Sequence, residues 1–273
     1  MSGLAEWKGL AVSVIGTEHV RREQPLQDAS GVISAPRPAA VVCDGAGSAR
    51  FSHVGAEAAV REFRISLAAL EPMLAACLDS DETTFDGAKG YWRCLSYWMC
   101  RAIVAAKEES ARVGSGNARD YDFTMAAAVV GQMRTAFLQV GDGAIAVRLR
   151  RWGGSALVFR PEKGPYANVT KFLDRDAVEE DEFQTRVLPT SAISGIMVMS
   201  DGPEIKMLDM SGNRPAKIVS DMIDDCAKGD LDRASLLNYL TGSRWMNDPR
   251  GGDDKSVAIL ALTNTRKGKQ KEH

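Results

Sequence analysis

The chain has 273 residues, of which 45% are apolar and 26% are charged, as in a globular protein with a sizeable core. Lysine and arginine together number 34 against 36 aspartates and glutamates, so the net charge of -2 predicts neither nucleic-acid binding nor a polybasic membrane face. No apolar run approaches the roughly 18 residues that a membrane-spanning helix needs.

The cysteines and the first residues indicate the compartment. The five cysteines are odd in number and show no C-x-x-C spacing, which predicts neither a disulfide framework nor a zinc site. The first residues lack the charged and apolar regions of a signal peptide. We therefore expect a reduced, soluble, cytoplasmic protein.

Short runs rich in Val, Ile and Phe occur along most of the chain, and each has roughly the four to eight residues of a strand. In chain order the predicted strands are Leu10–Gly16, Ala39–Cys43, Met125–Gly131, Thr135–Val140, Ala144–Arg150, Ala156–Phe159, Phe183–Leu188, Ile193–Ser200 and Ser256–Leu262. Asp142-Gly143 separates two of these runs, and this dipeptide predicts a hairpin over Thr135–Arg148.

Four helices are predicted from apolar residues at helical spacing. The first spans Ser52–Leu70, with Pro72 as its stop. The second lies within Gly90–Val113, where we assign Trp92 and Trp98 to the core. The third contains Ile218–Cys226, and Asp232 caps a short fourth helix.

Strands followed by a helical pair, then more strands and helices, predict an α+β fold rather than alternating βαβ units. We expect one domain over residues 1–263. Residues 264–273 are polar and basic with no apolar side chain, which is typical of a flexible tail that serves solubility.

Aspartates stand where strands begin or end. Asp44-Gly45 and Asp201-Gly202 directly follow apolar strands, Asp28 lies between the first two strands, and Asp253-Asp254 precedes the last. A lone carboxylate is too costly to bury inside a strand, but several strand ends can bring carboxylates together at a rim.

Carboxylates gathered in this way repel one another unless a cation lies between them. Oxygen ligands without nearby His or Cys suit Mg²⁺ or Mn²⁺ better than zinc. Each Asp-Gly pair taken alone is also typical of a turn, and both interpretations stay open on the pattern.

The same residues resemble the type-2C (PPM) phosphatases, especially their compact bacterial members. The matching motifs occur in the family's order over about Val12 to Leu262: they are Gln27-Asp28-Ala29, Asp44-Gly45, Thr124, Gly141-Asp142-Gly143, Asp201-Gly202 and Gly252-Asp253-Asp254. A stretch over Lys163–Leu173 also resembles the segment beyond the family's central hairpin.

The resemblance implies a four-layer α-β-β-α sandwich of two antiparallel sheets flanked by helices, with the metals in the cleft between the sheets. It implies that Asp28 and Asp201 each ligate an ion and that Asp44 bridges both ions, with the Gly45 carbonyl as a further ligand. Asp253 completes the set, because its spacing to Ser256-Val257 matches the family pattern.

Some positions depart from the family. Gln27 stands where many members have Glu, and Ala46 stands where animal enzymes have a histidine. Asp142 occupies the place of a weak third-metal ligand. Arg22 is the first candidate for the phosphate-binding arginine and Arg21 the second, with a register about one residue off. His19 and Glu204 are weaker candidates, and a surface position is the simpler expectation for Glu204.

The hypothesis is a Ser/Thr protein phosphatase in which two or three Mn²⁺ or Mg²⁺ ions activate a water, with Asp44, Asp28 and Arg22 as the catalytic residues. Cys43 is then a small core residue, since no covalent phosphoenzyme is needed. The expected partner is a phosphorylated protein, such as a Ser/Thr kinase or its target. The alternatives are a catalytically weak relative that binds phosphoproteins as a regulator, and a phosphohydrolase acting on small molecules.

Overall fold

The computed structural model describes residues 6–263 except 152, 160–169, 210, 212, 247, 249 and 250. The predicted tail, residues 264–273, lies outside the described residues. Residues 163–169 of the stretch over Lys163–Leu173 that resembles the family also lie outside them, whereas residues 170–173 are described.

Two five-stranded antiparallel sheets form the centre of the molecule. The strands are β1 (Trp7–Val14), β2 (Ala29–Ile33), β3 (Ala39–Gly45), β4 (Phe123–Val130), β5 (Arg134–Val140), β6 (Ala144–Leu149), β7 (Ser155–Leu157), β8 (Gln184–Pro189), β9 (Ile193–Met199) and β10 (Lys255–Leu262). One sheet has the order β1-β10-β9-β6-β7 and the other has the order β2-β3-β4-β5-β8.

The described helices are α1 (Thr17–Arg21), α2 (Ser52–Ala69), α3 (Glu71–Leu78), α4 (Phe85–Val113), α5 (Arg175–Glu179), α6 (Glu204–Met207), α7 (Lys217–Lys228), α8 (Arg233–Thr241) and α9 (Ser243–Met246). Helices α2 and α4 pack on the second sheet, and α7 packs on the first. None of the described helices has both the length and the apolar character needed to cross a bilayer.

Alternation along buried strands produces the layers. In β4, Met125, Ala127 and Val129 pack towards the helices, whereas Ala126 and Ala128 belong to the core between the sheets. Successive side chains of a strand point to opposite faces, so a fully apolar strand can serve two cores at once. The predicted α+β, four-layer architecture is confirmed.

The nine predicted strands are present with shifts of a few residues at their ends, and β2 was missed. Its sequence, Ala-Ser-Gly-Val-Ile, has only two large apolar residues, and its position depends on pairing with β3. Propensity alone therefore gives little indication of this strand.

The predicted hairpin over Thr135–Arg148 is wrong. Strand β5 pairs with β4 and β8, whereas β6 pairs with β7 and β9 in the other sheet. Residues 141–143 therefore cross from one sheet to the other. Gly141 makes the crossing with φ +90°, where a Cβ would lie 2.6 Å from the Thr124 side chain. The crossing places Asp142 at the rim between the sheets.

Two details of the helices also differ from expectation. Pro72 does not end the helical region, because α3 begins at Glu71 with the proline in its first turn, where no amide hydrogen is needed. Trp92 is buried and donates its Nε1–H to the Phe137 carbonyl, but Trp98 is 58% exposed and is not a core residue. The predicted N-cap at Asp232 is confirmed, since its carboxylate accepts from the Ser235 amide.

A buried lysine fixes α4 to the edge of the second sheet. The Lys107 side chain is only 2% exposed, and its Nζ donates to Asp122 Oδ1 at 2.7 Å and to the Leu173 carbonyl at 2.8 Å. Asp122 directly precedes β4, and Leu173 follows the segment that carries Thr170. This ion pair thus joins α4, β4 and that segment.

We expect Lys107→Met to lower the free energy of unfolding by about 3–5 kcal/mol, because it leaves the poorly solvated Asp122 carboxylate without its cation. Urea unfolding followed by circular dichroism measures this. The matched control is Lys217→Met, whose ion pair with Asp221 is exposed; it should change stability by less than about 1 kcal/mol. Equal effects of the two substitutions would contradict the structural role of Lys107.

Candidate metal centre

Ends of strands from both sheets meet at a single cleft. Asp44 lies at the end of β3, Asp201 lies two residues after β9, Asp253 lies two residues before β10, and Asp142 lies in the crossing between β5 and β6. All four line a cleft of about 490 Å³. Antiparallel strands of two packed sheets thus deliver the carboxylates that the sequence predicted to converge.

Asp28 lies behind this wall, directly before β2, and is only 5% exposed. Its Oδ2 accepts a hydrogen bond from the Ser200 hydroxyl at 2.8 Å. Burial raises the pKa of Asp28 to about 7; the Ser200 hydrogen bond lowers it and the charge of Asp254 raises it. Without a cation nearby, the Asp28 carboxyl group therefore gives up its proton only around neutral pH.

Asp44 lies between its acidic neighbours. Burial, followed by the charges of Asp28 and Asp201, holds the pKa of Asp44 well above its usual value. Burial and then the charge of Asp253 raise the pKa of Asp201 to about 6. The contact between these two carboxyl groups raises the pKa of Asp44 and lowers that of Asp201.

Glu204 belongs to the same acidic group and is not the surface residue that was expected. It lies in the first turn of α6, and burial followed by the charges of Asp201 and Asp142 raises its pKa to about 8. On the other side of Asp142, the Thr170 hydroxyl donates to Oδ2 at 2.8 Å. The sequence offered only the short distance from Asp201 as an indication for Glu204.

The donor set fits a hard divalent cation. The donors are carboxylates and the Gly45 carbonyl, and a cation among them would offset the burial and repulsion that raise these pKa values. Within the described part of the chain, no three His, Cys, Asp or Glu side chains are spaced as a ready-made cage.

The two adjacent aspartates before β10 have opposite environments. The Asp253 side chain is 54% exposed and lines the cleft. Asp254 is 2% exposed, and its two carboxylate oxygens accept from the amides of Gly16 and Gln27, each at 2.6 Å. The structure therefore favours Asp253 as the ligand and gives Asp254 a structural role that the sequence did not reveal.

The two candidate arginines also separate. Arg22 directly follows α1 and lines the cleft, and its Nη2 lies 3.5 Å from Glu18 Oε2. Arg21 pairs with Glu18 Oε1 at 2.8 Å and is not among the described residues that line the cleft. The geometry favours Arg22 for contact with a bound anion. Sequence analysis missed α1, which positions both residues.

Two other positions match expectation. Ala46 lines the cleft, so this position offers a methyl group there and no imidazole. Burial, followed by the charges of Asp28 and Asp44, raises the pKa of the Cys43 thiol, so this cysteine remains neutral. A core role for Cys43 follows.

The comparisons with known proteins agree with this geometry. Residues 15–240 match a family model described as "Protein phosphatase 2C"; the match includes Asp28, Asp44, Asp142 and Asp201. Serine/threonine-protein phosphatase 3 of Escherichia coli (strain K12) is 27% identical over 265 residues, which are 93% of this chain and 97% of that protein.

Solved structures share the fold. PppA, described as a regulatory component of T6SS in Pseudomonas aeruginosa, has a TM-score of 0.59 at 15% identity, over 94% of this chain and 98% of that one. The catalytic domain of the phosphatase PstP, in complex with two manganese ions, has a TM-score of 0.57 at 15% identity, over 94% and 99% of the two chains.

The raised pKa values predict how the stability of the metal-free protein depends on pH. The folded protein retains protons that unfolded aspartates release near pH 4, so stability should fall as the pH rises from about 4 towards the folded-state values of about 7 for Asp28 and about 8 for Glu204. We expect the melting temperature in EDTA to decrease between pH 5 and pH 8, and Mn²⁺ to restore it.

Asp28→Asn provides the matched variant, because an amide oxygen can still accept the Ser200 hydrogen bond while the ionisation is lost. In EDTA this variant should be more stable than the wild type at pH 8 and similar to it at pH 5. A wild-type melting temperature that is constant over this range would contradict the assignment of buried, mutually repelling carboxyls.

Proposed function

This chain belongs to the protein phosphatase 2C family, and we propose that it is a metal-dependent hydrolase of phosphoserine and phosphothreonine in proteins. The observation that carries the proposal is the convergence of Asp44, Asp201 and Asp253 on one cleft, with Asp28 buried directly behind. Arg22 lines the same cleft and completes a site suited to a phosphate ester.

The metal ligands of the proposal are Asp28, Asp44, the Gly45 carbonyl, Asp201 and Asp253. Asp44 lies next to both Asp28 and Asp201, which suits it to bridge two ions. Asp142 and Glu204 lie beside Asp201 and would contribute to a weaker third site. When bound, Mn²⁺ or Mg²⁺ ions supply a water of lowered pKa and neutralise phosphate charge.

The chain's own residues bind and orient the substrate. The Arg22 guanidinium can form two parallel hydrogen bonds to phosphate oxygens. In the absence of substrate, the carboxylate of Glu18 holds the Arg22 side chain near the cleft. On substrate binding, Arg22 would leave Glu18 and contact the phosphate instead. Phe172 and Thr170 line the same cleft and offer contacts for residues that flank the phosphorylated side chain.

The names of similar proteins support this choice of substrate and metal. The Escherichia coli relative is a serine/threonine-protein phosphatase, and the PstP domain binds two manganese ions. We infer that the partner of this chain is a phosphorylated protein, such as a Ser/Thr kinase or its target.

A catalytically weak regulator that binds phosphoproteins is the second candidate. Ala46 favours it, because no imidazole is available at that position to protonate the leaving oxygen. The full set of metal aspartates favours the enzyme. Solvent in the cleft could protonate the leaving alkoxide in place of the imidazole.

The first test compares hydrolysis of a phosphothreonine peptide by the wild type and by Asp201→Asn, with Mn²⁺ or with EDTA. We expect Mn²⁺-dependent turnover in the wild type and a fall of at least about 100-fold in kcat/KM for the variant, since charge stabilisation in the transition state is lost. A nucleotide panel is run in parallel. Faster nucleotide hydrolysis would favour a small-molecule phosphohydrolase, and folded wild type without turnover would favour the regulator.

The second test separates the two arginines. Arg22→Ala should lower kcat/KM for the phosphopeptide by about 10–100-fold, the loss of a charge-assisted contact, while Arg21→Ala should change it by less than about threefold. Steady-state kinetics at saturating Mn²⁺ measures both. The reverse order of effects would assign phosphate binding to Arg21.

A further inference from the structure

His19 lies on the short helix α1 among charged residues, yet it is only 8% exposed and lines the cleft. Its Nδ1 lies 2.9 Å from Asp254 Oδ1, and its Nε2 lies 3.8 Å from Asp253 Oδ1. The first distance is a hydrogen-bonding one, although the alignment falls short of a regular hydrogen bond. The imidazole ring therefore stands between the two adjacent aspartates.

Asp254 determines how the ring is held. Its carboxylate accepts hydrogen bonds from the amides of Gly16 and Gln27, and His19 Nδ1 faces the same carboxylate at 2.9 Å. One buried side chain thus joins the start of α1, the residue before Asp28, and the loop that carries Asp253. Nε2 is left facing the Asp253 side of the cleft.

The loop that carries Asp253 needs such support. The Asp253 side chain is half-exposed and follows Gly251-Gly252, so holding it in one rotamer has an entropic cost. The backbone of the loop is fixed from α1 and β10: the Glu18 amide donates to the Gly252 carbonyl at 2.9 Å, and Lys255 Nζ donates to the Asp253 carbonyl at 2.7 Å.

We propose that His19 is a positioning residue that, with Asp254, holds Asp253 in place and so sets the affinity of the metal centre on its Asp253 side. The inference rests on the proposed function only in taking Asp253 as a metal ligand. Residues that orient metal ligands typically affect metal affinity by about 10–100-fold. His19 acts through the two aspartates and has no contact with the phosphate in this role.

Mn²⁺ binding, measured by calorimetric titration and by the electron paramagnetic resonance of free Mn²⁺, tests the proposal without any turnover. We expect His19→Ala to raise the dissociation constant about 10–100-fold. His19→Asn should recover most of the affinity, because its amide nitrogen can take the place of Nδ1 and donate to the acceptor Asp254. Val20→Ala, an exposed position on the same helix, is the matched control and should bind as the wild type does.

Activity supplies a second readout. Turnover by His19→Ala at low Mn²⁺ should be reduced and should recover as Mn²⁺ is raised. An unchanged dissociation constant in His19→Ala would overturn the proposal, and low turnover that excess Mn²⁺ does not restore would instead assign His19 to the substrate. Circular dichroism in EDTA shows whether His19→Ala folds. If it does not fold, His19→Asn and His19→Gln are compared with the wild type instead. Equally weak Mn²⁺ binding by these two variants would overturn the role of the Asp254 contact.

The two proposals fail separately. Wild type that binds Mn²⁺ but does not hydrolyse phosphopeptide overturns the proposed function and leaves the role of His19 intact. Wild type that binds neither Mn²⁺ nor Mg²⁺ overturns both.

Discussion

Repulsion among buried carboxylates is the constraint on which this structure depends. Asp28, Asp44 and Asp201 would each ionise near pH 4 in water, yet burial and the charges of neighbouring carboxylates raise all three pKa values. This arrangement of carboxylates does not by itself stabilise the folded state. The arrangement becomes favourable only when positive charge enters the cleft, so the protein stores in its folded state an affinity for divalent cations.

The two-sheet architecture makes this arrangement possible. Each sheet is stabilised along most of its length by apolar cores on both faces, and the acids are confined to strand ends and crossings at the rim between the sheets. Asp142 reaches that rim because the chain changes sheets between β5 and β6. Lys255 lies next to the cluster, where burial lowers its pKa and the charges of Asp253 and Asp254 act in the opposite direction.

Local patterns predicted the α+β class and the strand-end aspartates, whereas the two-sheet sandwich was implied by the family resemblance. Long apolar runs and the residues that end them are visible without knowledge of partners. Features that depend on pairing were missed or mistaken. Strand β2 forms by pairing with β3. The crossing at Asp142 resembles a hairpin turn in sequence. The burial of Glu204 follows from the packing of α6. Helix α1, which forms one wall of the cleft, is too short for a periodic apolar pattern to predict it.

The pair Asp253-Asp254 shows where local information ends. The two side chains have opposite surroundings, because Asp253 faces the cleft and Asp254 faces the interior. Which one does so is set by the register of β10, where Lys255 pairs with Val14 and Ser256 with Ser13. A slip of one residue would exchange the two environments. Because the Gly16 and Gln27 amides bind the carboxylate of Asp254, the same contacts that complete the interior also fix the register that turns Asp253 towards the cleft.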